Sequence, residues 1–174
     1  MSNKVVKSSS VLQLQCSVEV SAQKVFRAVD FFKEDGQPDG ILMFIDDEFR
    51  QRFLSGGGKI ELDIPAATLN GYNLREYSLN GPILTALGGN DAAKTSLAYV
   101  AQLLRKQAKC GEGVLLTNGW ANIFYIEDHH NVLCTVYCRW CSRDRELYVR
   151  ASLVTDPDGW LADCQVFSPA ALAA

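Results

Sequence analysis

The chain has 174 residues, 48% of them hydrophobic and 21% charged, with a formal net charge of -3, which are the proportions of an ordinary globular protein. At this size one continuous core stabilises a domain without metals or disulfides, and an acidic balance argues against gripping a phosphate backbone, which takes clustered Lys and Arg. No apolar run approaches the roughly 18 residues of a membrane span, so we expect neither a nucleic acid nor a membrane as partner.

Residues 1–10 read as a flexible start. Gln13, Gln15 and Glu19 then interrupt any apolar stretch of the kind a secretory signal needs. Residues 11–174 read as a single α+β domain in the cytoplasm, where six cysteines stay reduced. Residues 11–20 alternate like a strand. Ser21 then stands at an N-cap position ahead of Val25, Phe26, Ala28, Val29 and Phe32, which predicts a helix stopped by Gly36, Pro38 and Gly40. A buried strand follows at residues 41–45. Asp46 or Asp47 is placed to cap a short helix through Phe53, and residues 59–64 alternate again. Residues 65–89 show no period, with Asn70-Gly71 and Asn80-Gly81 marking turns.

The clearest helix spans residues 91–109, with Ala93, Leu97, Val100, Ala101, Leu104 and Ala108 on one face and Gly111 as its stop. Beyond it the period changes to two over residues 120–127, 132–141, 146–154 and 160–166. The fold class expected is therefore α+β, an antiparallel sheet with a C-terminal four-stranded meander packed against two or three helices. One register puts apolar residues on a common face: Ala121, Cys138, Val149 and Cys164 in one row, and Ile123, Val136, Ala151 and Ala162 in the next. The turn at Arg143-Asp144 lacks the glycine that a tight hairpin prefers. On the opposite face Trp120, Tyr137, Arg139, Tyr148 and Arg150 become neighbours. Cation–π pairs of Arg139 with Trp120 and Tyr148 are expected there, together with an ion pair of Arg150 with Asp163.

Three strings invite a chemical reading. Cys134, Cys138 and Cys141 have the Cys-x3-Cys-x2-Cys spacing and resemble the cluster motif of radical S-adenosylmethionine enzymes. In a strand, however, the first two thiols lie about 13 Å apart and the third points to the other face. The same objection removes zinc, so Cys134, Cys138 and Cys164 are expected as small core residues. Gly88-Gly89 through Lys94-Thr95 is similar to a phosphate-binding P-loop, but Ala93 stands where its second glycine belongs. His129 and His130, the two histidines, fall at a turn tip that has no walls to exclude water.

The stretch from Ser17 through Val29 is similar to the opening strand and helix of START-like ligand-binding folds. That family closes with a long helix across its sheet, whereas here the long helix lies mid-chain, so no residue role is carried over. No catalytic constellation, metal or cofactor is expected. The function expected is a non-catalytic binding or interaction protein that uses the face of Trp120, Tyr137, Arg139, Tyr148 and Arg150 for a protein partner or a second copy of itself. The alternative is a small-molecule binder or enzyme with a pocket between residues 65–89 and the sheet.

Overall fold

A computed structural model describes residues 10–35, 39–110 and 112–171, with the side chains of residues 109 and 110 excepted. The expected flexible start, apart from Ser10, and the expected stops at Gly36, Pro38 and Gly111 lie outside the described residues. The fold is α+β, built on a mixed sheet.

Strands β1 (Leu12–Val20), β2 (Gln23–Arg27), β3 (Met43–Ile45), β4 (Ile60–Ile64), β5 (Ala67–Leu74), β6 (Asn122–Glu127), β7 (Leu133–Cys141), β8 (Glu146–Leu153) and β9 (Gln165–Pro169) form two sheets. Seven of them lie in the order β1-β5-β9-β6-β7-β8-β3, while β2 and β4 pair separately. The pairs β3/β8 and β6/β9 are parallel and the others antiparallel. Helices α1 (Ala28–Phe31), α2 (Asp47–Phe49), α3 (Asn80–Ala86), α4 (Asn90–Ala93) and α5 (Leu97–Cys110) complete it, α2 running on into a π-turn at Arg50–Leu54.

The large sheet carries a packed cluster on each side. Its first face packs Val18, Leu69, Phe124, Ile126, Cys134, Val136, Cys138, Val149 and Ala151 against α1, α2 and α5. A run of touching rings, from Phe31 to Phe32 to Phe49 to Phe53 with centroids about 5 Å apart, fills that layer. Its second face packs Leu74, Ile123, Tyr125, Cys164 and Val166 against Ile83 and Leu84 of α3 and Ala93 of α4.

Several expectations are corrected. The helix after Ser21 is strand β2 followed by one helical turn, because Val25, Phe26 and Arg27 pair with Leu62, Glu61 and Ile60 of β4. The meander has three strands, not four: β9 leaves β8 and inserts between β5 and β6. Within it the β7/β8 register is the expected one, Cys138 opposite Val149 and Arg139 opposite Tyr148. The β6/β7 register is one residue off, Asn122 and not Ala121 facing Cys138, which moves Ala121, Ile123 and Tyr125 to the second face. Residues 91–109 are two helices, parted at Lys94–Ser96, where Glu61 accepts hydrogen bonds from the Leu97 and Ala98 amides at 3.0 Å and caps α5. The cap at Asp46 is as expected, its carboxylate accepting from the Phe49 amide at 2.8 Å.

Asn70-Gly71 is not a turn but the middle of β5. A Cβ on Gly71 would stand 2.6 Å from Cys16 Sγ, 2.6 Å from Gln165 Nε2 and 2.9 Å from the Phe167 ring, so glycine is kept there by the close approach of β1 and β9 side chains. Gly71→Ala is expected to destabilise the protein by about 1–3 kcal/mol, the cost of overpacking. Urea unfolding checks this, and an unchanged midpoint would show that those side chains give way freely.

Candidate functional site

On the second face of β7, β8 and β3, alternation along each strand brings most of the expected residues together. Arg139 pairs with Tyr148, which pairs with Phe44, while Tyr137 pairs with Arg150. The guanidinium of Arg139 lies 5.6 Å from the Tyr148 ring centroid, and that of Arg150 lies 5.6 Å from Tyr148 and 6.0 Å from Phe44. The Phe44 and Tyr148 rings are 5.2 Å apart. The result is a small platform of two guanidinium groups interleaved with two rings, and such pairs contribute roughly 0.5–1 kcal/mol each where exposed.

Its chemistry is set by its neighbours. The Tyr148 hydroxyl donates to Asp144 Oδ2 at 2.5 Å; this bond holds the phenol proton and pushes its pKa up to about 12. Hydrogen bonds from Arg143 and then Tyr148 hold the Asp144 carboxyl well below the usual range, so Asp144 is an anion fixed to its own turn. Burial raises the Asp46 carboxyl, a rise opposed by the Phe49 amide and the Arg150 charge. Arg139 is exposed and has no ion-pair partner among the described residues. Phe44, 41% exposed, stands beyond Tyr148 on the edge strand β3.

Not every expected member belongs. Tyr137 is half-buried, its ring 4.8 Å from that of Trp160, and burial raises its hydroxyl pKa. Trp120 packs against the second-face cluster ahead of β6, and the cation–π partner of Arg139 is Tyr148 rather than Trp120. Asp163 sits before β9, its amide bonded to the Leu74 carbonyl, and so lies far from Arg150 in the strand order. Sequence reading missed Phe44 and Asp46, whose place beside β8 depends on a parallel pairing that no turn announces.

The strings with a chemical look are put to structural use. Burial raises Cys134 to about 11 and Cys138 to about 12, and both face the first-face core, so neither is a thiolate nucleophile at neutral pH. Cys141 lies by Asp144, its Sγ 3.2 Å from Oδ2. Lys94 ends α4 and pairs with Glu127 at 3.0 Å, while the helix N-terminus that would meet a phosphate is filled by Glu61. The ring of His129 donates through Nδ1 to the Arg52 carbonyl, and His130 is exposed. Among the described residues no group of three or more His, Cys, Asp or Glu is arranged to hold a metal ion, and no helix is long and apolar enough to cross a membrane.

Of the segment 65–89 expected to wall a pocket against the sheet, β5 is itself a strand of that sheet and α3 packs directly on it, while residues 65–68 line an open cavity of about 800 Å³ together with Lys94, Tyr99, Glu127 and Pro169. A second cavity, of about 430 Å³, opens on the first face, beside α5 and the start of β8. No protein-family model, curated protein or solved structure matches the chain.

Proposed function

We propose that the protein is a non-catalytic binding protein that offers Arg139, Tyr148, Phe44 and Arg150 to an acidic, partly apolar segment of a protein partner. The observation that supports this most is the coincidence, on the second face of β7, β8 and β3, of an exposed arginine that has no ion-pair partner among the described residues with the exposed ring of Phe44. Tyr, Arg and Phe are the residue types that carry interface energy, and a cationic patch on a chain of net charge -3 selects an anionic partner and steers it in. Tyr137, opposite Arg150 on the same face, flanks the platform and packs its ring edge-on against Trp160. Such a protein acts in the cytoplasm on this reading, supported by five described cysteines that are all free.

The test is selection of random peptides on the wild-type protein, followed by titration of the enriched ones. Enrichment of Asp and Glu beside an apolar residue is expected. Arg139→Glu should weaken those peptides at least tenfold, about 1.4 kcal/mol or more, while lowering stability in urea by no more than the about 0.5–1 kcal/mol of the lost cation–π pair. Enriched peptides that bind Arg139→Glu as tightly as the wild type would overturn the assignment.

A further inference from the structure

The first-face cavity is walled by Leu104 and Ala108 of α5, by Leu115, and by Trp140 and Leu147 across the β7–β8 hairpin. Its volume, about 430 Å³, falls within the range of small-molecule sites, which are mostly apolar with a few oriented polar groups. Most polar groups around it are already committed. The Asn122 side chain is bonded to the Leu116 amide at 2.8 Å and to the carbonyls of Leu116 and Cys138. Gln107 is bonded to the amide and carbonyl of Leu115, each at 3.1 Å, and Asp39 pairs with Arg105 at 3.1 Å.

Arg145, at the mouth, is a charged group left uncommitted. It lines the cavity and is exposed, and it has no ion-pair partner among the described residues. It also adopts φ 55°, in the left-handed region, which glycine enters freely and a residue with a Cβ does not. A hairpin turn that needs this conformation would be more stable with glycine or asparagine, yet carries an arginine whose charge stands over an apolar hole. A strained residue of this kind is a pointer to function.

We propose that this cavity binds a small amphipathic anion, an apolar body bearing one carboxylate or sulfonate. The body displaces water from the walls of Leu104, Ala108, Leu115 and Leu147. The anion is received by the Arg145 guanidinium, whose planar fork matches a carboxylate through two parallel hydrogen bonds. The site lies on the face of the β7–β8 hairpin opposite Arg139 and Tyr148, so it stands independently of the peptide-binding platform.

The test uses two fluorescent probes with the same rings, 8-anilinonaphthalene-1-sulfonate, which is an anion, and N-phenyl-1-naphthylamine, which is neutral. Wild-type protein under native conditions should bind each at one saturable site, with octanoate displacing the sulfonate. Arg145→Gly should resist urea at least as well as the wild type and bind the sulfonate roughly tenfold or more weakly, as loss of a charge-assisted hydrogen bond requires. Its affinity for the neutral probe should not change. Ala108→Phe fills the cavity from α5 and should remove both probes; Thr117→Trp, at an exposed lining position, does the same with less risk to the core. No saturable binding to the wild type would overturn the proposal. So would equal losses of both probes in Arg145→Gly, or undiminished binding of both in Thr117→Trp.

Discussion

Replacing Asp128 with alanine is expected to lower the free energy of unfolding by about 3–5 kcal/mol, the scale for removing one side of a buried ion pair. The Asp128 side chain has no exposed surface. It accepts from Arg52 Nη1 at 3.0 Å, from the His130 amide at 2.8 Å and from the Val132 amide at 3.0 Å, so alanine deprives two amides of their acceptor and the Arg52 guanidinium of one of its two carboxylates. Arg52 also reaches Glu48 at 2.5 Å, and through Arg52 the turn after β6 is fastened to the π-turn that follows α2.

The same carboxylate predicts a pH dependence. Burial alone would raise its pKa, but the amides of Val132 and His130 and the Arg52 guanidinium outweigh burial and hold it below the usual range. A folded-state pKa below the unfolded value, near 3.9, gives a contribution complete above that value and lost as pH falls through the folded one. Wild type and Asp128→Ala should therefore draw together in stability as the pH drops below about 4. Urea unfolding across that range measures the gap; a gap that stays constant would mean that the charge of Asp128 contributes nothing.

A second large loss, about 2–5 kcal/mol, is expected for Asn80→Ala. Asn80 is buried at 1% exposure, and its Oδ1 accepts from the Tyr125 hydroxyl at 3.0 Å and from Trp160 Nε1 at 2.9 Å. Each donor left without a partner in the interior costs about 1–3 kcal/mol. The trio ties α3 to the middle of the sheet and to the segment ahead of β9. Because the Tyr125 hydroxyl would be one of the stranded groups, Tyr125→Phe added to Asn80→Ala should recover part of the loss. A double variant no more stable than the single one would show that cavity formation, not hydrogen bonding, dominates.

What could be read from sequence follows from contrast between strand faces. In β7, Cys134, Val136 and Cys138 alternate with Thr135, Tyr137 and Arg139, so only one register with β8 puts like with like, even without a glycine in the turn. In β6, Ile123, Phe124, Tyr125 and Ile126 are all fully buried, and a strand covered on both faces offers no alternation to align. There the register is fixed by the five residues 128–132, gathered around the Asp128 carboxylate with Asn131 at φ 61°. Long-range partners were equally hidden. Glu61 caps a helix 36 residues further on, and a bulge between Leu14 and Cys16 swaps the faces of β1. The rings and arginines of the platform were legible because β7 and β8 were. Phe44 was not, and neither was the cavity, which forms where α5, two loops and a hairpin meet.

Strand β9 has a consequence for how the chain reaches its fold during synthesis. It lies between β5 and β6 in the sheet yet follows every other strand among the described residues. Until the ribosome has made residues 165–169, the β1–β5 pair and the β6–β7–β8 meander have no strand to join them. Each then carries an unpaired inner edge, flanked by Leu69 and Tyr72 on one side and by Ile123 and Phe124 on the other. Nascent chains caught at that stage present two sticky edges at once, the kind of surface that recruits chaperones or seeds aggregation.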